Sequence, residues 1–261
     1  MSKIYMHKCL IPGLVFVFVM LLVAALRTTK ESFVDPTDII IVTAHYTENL
    51  KWLLKARVPV VVCSKDSAAS SGFKPNESCT MMNVGREASA YLKFIISHYD
   101  DLPKHVAFIH GHENAWHQKL PFGLLHAIQD CALVDEHDYI PLNDKYFERT
   151  TGQINTLAMD ILRNMWGEHF LPYIKRKFPE NLKHDCCAQF IVSRGAILKH
   201  PKSTYEHWLT LFTDSQFYSK YQYDDYSLGL VFEFIWHIIF GEPDRVNSNL
   251  YKFRKKCFSN T

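Results

Sequence analysis

The stretch from Asp38 to Cys63 reads DIIIVTAHYTENLKWLLKARVPVVVC, and it decides the fold class. Its first part, Asp38 to Ala44, is a continuous β-branched run, typical of a strand buried on both faces of a parallel sheet. A second run of this kind covers Val58 to Cys63. Between them, Glu48 to Arg57 has leucines at helical spacing. Strand, helix and strand within this length predict a βαβ unit, and therefore an α/β domain.

Further elements follow the same pattern along the chain. Apolar residues from Ala88 to Tyr99 recur at helical spacing, and the apolar runs His105 to Ile109 and Ala188 to Ser193 are predicted strands. The remaining predicted helices make the C-terminal half helix-rich: Pro121–Val134, Gln153–Phe178 with interruptions near Gly167 and Pro172, Ser203–Phe212 and Tyr226–Phe240.

The N-terminus has a different character. Cys9 to Leu26 reads CLIPGLVFVFVMLLVAAL and carries no charge, close to the length of about 20 residues that crosses a bilayer. We interpret it as an uncleaved anchor, with a cleaved signal peptide as the alternative. The organisation is then a tail at residues 1–8, a transmembrane anchor at 9–26, a stem at 27–37 and a catalytic domain at 38–261.

Two weak signals place that domain in a lumen. Asn76-Glu77-Ser78 is an N-glycosylation sequon, and six cysteines lie beyond the anchor. An oxidising lumen permits disulfides. Adjacent Cys186 and Cys187 are not expected to bond each other, so any bridges would be long-range. We therefore expect a single-pass, type II protein of the endoplasmic reticulum or Golgi, with a secreted form as the alternative.

Composition excludes other classes. Hydrophobic residues make up 48% of the chain and charged residues 21%, which is the balance of a globular protein. The formal net charge is only +2 with histidines neutral, so bulk charge gives no support to nucleic-acid binding.

Polar clusters follow the predicted strands at the edge where α/β sheets bind ligands. NVGRE, at residues 83–87, opens a helix, whose N-terminus attracts anions. Gly85 would let a ligand approach the backbone, and Arg86 adds a planar cation suited to phosphate. The alternative is an ordinary capped helix, with Asn83 as the cap and Glu87 in the first turn.

The second cluster, HGHENAWH at residues 110–117, ends the third predicted strand. His110 and His112 are candidate metal ligands, Glu113 is a candidate general base or oxygen ligand, and Trp116 offers a stacking surface. The spacing differs from H-E-x-x-H, which argues against a zincin protease. The alternative is a set of structural, hydrogen-bonded histidines.

The last predicted helix, YSLGLVFEFIWHIIFG at 226–241, is apolar nearly all round and should be buried. Glu233 and His237 lie on one of its faces at i, i+4. Either they satisfy each other, or both face the active-site crevice.

Six blocks occur in order between residues 38 and 241: HYTENLKWLL, VPVVVCSKD, NVGREASAYLKFIISHYDDLP, VAFIHGHENAWH, CCAQFIVSR and FEFIWHIIFG. This string closely resembles an uncharacterised family of domains of unknown function. That family is similar to glycosyltransferases of the GT-A type. The resemblance implies a GT-A-like, nucleotide-sugar-binding, mostly parallel sheet flanked by helices.

The resemblance also implies roles. The donor would be bound by seven residues: Tyr46, Glu48, Asn83, Gly85, Arg86, Trp116 and His117. Glu233 would deprotonate the acceptor hydroxyl, with Glu113 and His237 as further catalytic candidates. His110 and His112 stand where GT-A enzymes carry Asp-x-Asp, which makes dependence on Mg²⁺ or Mn²⁺ doubtful, because hard ions prefer oxygen.

Three functions follow as hypotheses. The first is a membrane-anchored glycosyltransferase that moves a sugar from a nucleotide-sugar donor to a hydroxyl acceptor such as a glycan. The second is a metal-dependent hydrolase built on the histidines, with His110, His112 and His117 as ligands and His237 as a further one. The third is a non-catalytic lumenal binding protein with the same fold.

Overall fold

A computed structural model of the chain describes residues 38–65, 72–117, 123–130, 137–143, 146–150, 156–179 and 181–241. All of them belong to one compact unit. The predicted tail, anchor and stem, residues 1–37, lie outside the described residues. Within the part of the chain that is described, no helix has both the length and the apolar character of a membrane span.

The described strands form a six-stranded sheet and a two-stranded ribbon. The sheet contains β1 (Ile39–His45), β2 (Val60–Ser64), β3 (Glu77–Thr80), β4 (His105–His110), β5 (Tyr139–Pro141) and β8 (Phe190–Ser193). The ribbon contains β6 (Tyr146–Thr150) and β7 (Asn181–Asp185). In the sheet the order is β3-β2-β1-β4-β8-β5. The first four run parallel, and β8 pairs antiparallel with both β4 and β5.

Helices cover the two faces of this sheet. They are α1 (Arg86–Ser97), α2 (Leu124–Gln129), α3 (Thr156–Met165), α4 (Leu171–Ile174), α5 (Arg194–Ile197), α6 (Lys202–Thr210), α7 (Ser215–Tyr221) and α8 (Asp225–Ile239). The predicted mixed α/β class, with a mostly parallel sheet and a helix-rich C-terminal half, is therefore confirmed.

Two-sided burial explains the uninterrupted apolar strands. In β1, Val42 belongs to a core cluster shared with α1, α6 and α8, whereas Ile41 belongs to a second cluster shared with α2. Both side chains are fully buried. Successive side chains of a strand point to opposite faces, so a strand that is covered on both sides places nearly all of its side chains in the core and is mostly apolar.

The helix predicted over Glu48–Arg57 is wrong in length and type. A single 3₁₀ turn, Lys51–Lys55, takes its place. Residues three apart share a face of a 3₁₀-helix, and adjacent residues lie on different faces. Leu53 is therefore buried, whereas Leu54 is 68% exposed.

The long helical segment predicted over Gln153–Phe178 is confirmed from Thr156 to Ile174, including its interruptions, whereas residues 175–178 are not helical. A π-helical turn, Trp166–Phe170, contains Gly167 and separates α3 from α4, and Pro172 lies in the first turn of α4. Proline is tolerated there because the first N–H groups of a helix have no intrahelical partner.

The sheet order also indicates where a ligand would bind. From β1 the chain passes to β2 on one side, and later to β4 on the other side. Such a switch point opens a crevice at the carboxyl ends of the strands. His45 and His110 end these two neighbouring strands, so the polar segments that follow both strands lie at the crevice.

Candidate functional site

A cavity of about 550 Å³ lies at the carboxyl end of β4, between α1 and α8. Residues of α1, of α8 and of the segment that follows β4 line it. Six of the predicted site residues line it: Arg86, His110, His112, Trp116, His117 and Glu233. The polar and aromatic part of the wall is completed by Glu87, Asn114, Tyr226 and the Cys186–Cys187 pair.

Arg86 reaches the cavity across α8. Its guanidinium carbon lies 4.8 Å from the centre of the Tyr226 ring, a cation–π arrangement, and its Nε lies 3.8 Å from Glu87. The aliphatic stem crosses Gly229, where an added Cβ would lie 3.0 Å from the Arg86 side chain. The absent side chain at Gly229 is therefore what lets this cation lie against the helix.

Gly85 holds the turn that starts α1. It caps the helix with φ 67°, in the left-handed region, and its backbone N–H donates to the Asp225 carboxylate. An added Cβ would lie 2.3 Å from the Phe212 ring. Asn83, the cap considered from the sequence, is exposed and does not cap the helix. The close approach expected at Gly85 is thus made by Phe212.

Glu87 and His110 face each other at the cavity wall, with Oε1 and Nε2 3.7 Å apart. Burial raises the pKa of the Glu87 carboxyl, but His110, Arg86 and hydrogen bonding to its own backbone outweigh that effect and leave the pKa below its ordinary value. Burial lowers the pKa of the His110 imidazole, and Glu87 offsets only part of this. At neutral pH the pair is therefore a carboxylate beside a neutral imidazole.

This pair predicts a pH dependence of stability. The pKa of His110 is lower in the folded chain than in the unfolded chain, where it is about 6.5. Just below pH 6.5, the unfolded state therefore binds a proton at this histidine more readily than the folded state does. Stability should therefore fall as the pH falls through this window. We expect His110→Asn to reduce the loss of unfolding free energy between about pH 7 and pH 5, measured by denaturant titration. The same change at His112, whose side chain is 60% exposed, is the control; equal slopes in wild type and His110→Asn would contradict the assignment.

A buried amide chain links His110 to His117. Gln189 Oε1 accepts from the His110 backbone N–H at 3.0 Å, and Gln189 Nε2 donates to Asn143 Oδ1 at 2.9 Å. The same Asn143 oxygen lies 2.9 Å from His117 Nδ1. Asn143 and Gln189 are almost completely buried, so they hold the two histidines in fixed positions.

The rest of the cavity wall combines exposed aromatic surface with a carboxylate. Trp116 is 69% exposed, and Tyr226 is 56% exposed. Glu233 comes from the middle of α8 and is partly buried. An open aromatic surface beside an acid suits a polar organic ligand that has one flat, apolar face.

Six predicted site residues lie outside this wall: Tyr46, Glu48, Asn83, Gly85, Glu113 and His237. Glu48 accepts from the backbone N–H groups of Tyr46 and Thr47, at 2.7 and 3.1 Å, and its other oxygen lies 3.8 Å from His112. Tyr46 is 47% exposed. Glu48 therefore stabilises the turn after β1 and adjoins the cavity only through His112.

Glu113 and His237 have other surroundings. Glu113 lies 3.6 Å from Lys55 and lines a separate cavity of about 450 Å³ with Trp52. His237 is buried, 6% exposed, on the same helix as Glu233. Of the three catalytic candidates, only Glu233 lines the larger cavity.

The structure joins two pairs of cysteines. Cys63 and Cys79 are register partners on β2 and β3, with Cα atoms 4.5 Å apart. Cys186 and Cys187 are bonded to each other, which corrects the expectation that these neighbours would not pair. Their turn has φ 73° at Cys187 and 43° at Ala188, an unusual backbone that brings adjacent sulfur atoms together.

A comparison with known protein families gives a match over most of the chain. Residues 40–259 match the model of a family described as "Protein of unknown function (DUF3431)". The chain belongs to this family. The recognition of an uncharacterised domain family from the sequence blocks is therefore confirmed. No curated protein and no solved structure matches the chain.

Several residues that line the cavity of this DUF3431 domain, or that position its histidines, were not singled out from the sequence. Tyr226 and Leu230 precede Glu233 by seven and three residues in the same helix. Helical spacing alone would therefore have predicted that they share its face. Asn143 and Gln189 gave no such signal, because each is a single polar residue whose partners come from distant parts of the chain.

Proposed function

We propose that this domain is a glycosyltransferase that moves a sugar from a nucleotide-sugar donor to a hydroxyl acceptor. One observation carries the proposal: Arg86, at the N-terminus of a 12-residue helix, lines the same cavity as Glu233. A fixed cation at the positive end of a helix favours a phosphate group. A partly buried carboxylate in the same cavity can accept a proton.

In the proposed reaction the acceptor oxygen attacks the anomeric carbon of the donor sugar. The bond from that carbon to the diphosphate oxygen breaks, and the diphosphate leaves with the bonding electron pair. The acceptor proton passes to Glu233. Arg86 stabilises the charge that develops on the leaving diphosphate. Trp116 offers its exposed ring to the apolar face of a sugar.

The charge of the wall bears on metal dependence. Glu87 and Glu233 are acidic, Arg86 is a permanent cation, and His110 is neutral at pH 7 because burial lowers its pKa. Mg²⁺ or Mn²⁺ would enter with the donor, since such ions are commonly held by one or two carboxylates together with substrate phosphates. Glu87 is the carboxylate that we assign to this contact.

Two features support a lumenal location for the same activity. The Cys63–Cys79 disulfide is typical of oxidising compartments, and Asn76 of the sequon is exposed. We therefore include a single-pass, type II membrane protein of the endoplasmic reticulum or Golgi in the proposal. An endoglycosidase should increase the electrophoretic mobility of the cellular wild-type protein and leave that of an Asn76→Gln variant unchanged. If the mobility of the wild type is also unchanged, the proposed lumenal location is wrong.

Arg86→Lys tests the donor site. Lysine keeps the charge but loses the planar fork, and a charged hydrogen bond is worth about 1.5–3 kcal/mol. We expect donor affinity, measured by calorimetry after a thermal-shift screen of nucleotide sugars, to fall at least about tenfold. Arg163→Lys, on the exposed side of α3, is the matched control and should bind donor as the wild type does. Unchanged affinity in Arg86→Lys would show that Arg86 is not a phosphate ligand.

A further inference from the structure

A histidine and two cysteines meet on one wall of the cavity. The ligand atoms of His117, Cys186 and Cys187 lie within 4.8 Å of one another. Among the described residues, they form the one such group of three that could hold a metal ion. Cys186 is 1% and His117 5% exposed, so the group is built into the wall rather than scattered on the surface.

The amide chain fixes which nitrogen of His117 can ligate. Gln189 Oε1 accepts from a backbone N–H, so its amide nitrogen must be the group that donates to Asn143 Oδ1. Asn143 Nδ2 donates to the Cys186 carbonyl, which fixes the second amide in the same sense. The Asn143 oxygen therefore accepts from Nδ1–H of His117. In the neutral ring, Nε2 then carries the lone pair, as in histidines oriented by a neighbour for metal binding.

We propose that His117, Cys186 and Cys187 form a zinc site when the disulfide between the two cysteines is reduced. The reductant is a dithiol: it gives two electrons, the S–S bond breaks, two protein thiols form, and the dithiol becomes a disulfide. Zn²⁺ then displaces one proton from each thiol. Because both sulfurs are needed for either state, the disulfide and the metal exclude each other.

Charge and ligand type favour zinc over Mg²⁺ or Ca²⁺. Thiolate and imidazole are soft or borderline ligands, whereas the alkaline-earth ions prefer oxygen. Two thiolates, a neutral imidazole and Zn²⁺ sum to zero formal charge, which suits a buried wall. With Zn–S bonds of about 2.3 Å, the ligand atoms, which now lie within 4.8 Å of one another, must close around one ion. Three protein ligands leave a fourth position for water or a substrate group.

This site differs from the metal sites expected from the sequence, which used His110 and His112. The hydrolase hypothesis also used His117, and that histidine is the one ligand that the two sites share. His110 faces Glu87, and His112 faces Glu48. The zinc site stands on the geometry of the cysteine turn and the amide chain alone. It would remain if the domain transferred no sugar.

Site-resolved alkylation tests the proposal on the full-length protein. The protein is reduced with a phosphine, treated with iodoacetamide with or without Zn²⁺, and digested for mass spectrometry. We expect Zn²⁺ to slow alkylation of Cys186 and Cys187 at least tenfold and to leave Cys63 and Cys79 unaffected. The protein with intact disulfides should bind no zinc at this site, as measured by metal content after gel filtration.

His117→Gln should abolish most of this protection, whereas His126→Gln, on α2 beside Asp130, should keep it. Co²⁺ in place of zinc should give a thiolate charge-transfer band in reduced wild type that is lost in His117→Gln. If His117→Gln does not fold, the comparison of reduced and oxidised wild type still decides. Equal alkylation of Cys186 and Cys187 with and without zinc overturns the proposal, as does protection unchanged by His117→Gln.

Discussion

Replacing Gly85 by alanine is expected to lower the free energy of unfolding by about 2–4 kcal/mol. Two effects add. A non-glycine residue at φ 67° is strained, and the new Cβ would lie 2.3 Å from the Phe212 ring, which is itself 1% exposed and cannot easily move. Denaturant titration with an unchanged m-value measures the loss.

Gly167→Ala is the matched control. It adds the same methyl group where no heavy atom lies within 4 Å of the new Cβ, and its φ lies outside the left-handed region. It should cause no loss of stability. If both variants lose the same stability, the packing of Gly85 against Phe212 does not account for the effect.

Replacing Glu233 by glutamine is expected to lower the rate of sugar transfer about 10²- to 10⁴-fold, the range typical of a lost general base. Glutamine keeps the size and hydrogen-bonding ability of the side chain but cannot take the acceptor proton. Donor affinity should change much less, because the proposed phosphate contact belongs to Arg86. A rate assay with saturating donor separates the two effects.

The control for Glu233 is Glu113→Gln, which makes the same chemical change at the other carboxylate considered as a base. Glu113 lies beside Lys55 in the separate cavity, so its replacement should leave transfer near the wild-type rate. A large loss in Glu113→Gln with little loss in Glu233→Gln would reverse the assignment.

Most of the parallel half of the fold could be read from local pattern. The runs of β1, β2 and β4 are mainly apolar because both faces of each strand are covered, and α1 and α8 have apolar faces at helical spacing. The antiparallel insertion of β8 between β4 and β5 could not be read in this way. It depends on pairing between residues 82 to 88 positions apart, such as Val106 and Val192.

The candidate site was predictable where it followed from a strand end or a helix face. His110 ends β4, and Glu233 shares a face of α8 with Tyr226, so both line the cavity. The prediction that Glu113 is a candidate base rested on its closeness in sequence to His110. Closeness in sequence does not determine which way a side chain points, and Glu113 lies beside Lys55 instead. The bond between Cys186 and Cys187 lies in a turn with positive φ angles at Cys187 and Ala188, a backbone that the local sequence pattern does not predict.

We propose that this cavity breaks the bond between a sugar and a nucleoside diphosphate. Analysis of the nucleotide product tests this proposal most directly. Purified full-length protein is incubated with a panel of nucleotide sugars and a mixture of glycan acceptors, and the nucleotides formed are separated and weighed by mass spectrometry. The proposal predicts a nucleoside diphosphate from at least one donor, formed by wild type and Glu113→Gln but not by Glu233→Gln. A nucleoside monophosphate with a sugar phosphate would indicate hydrolysis within the diphosphate instead, and intact donors throughout would contradict the proposed transfer.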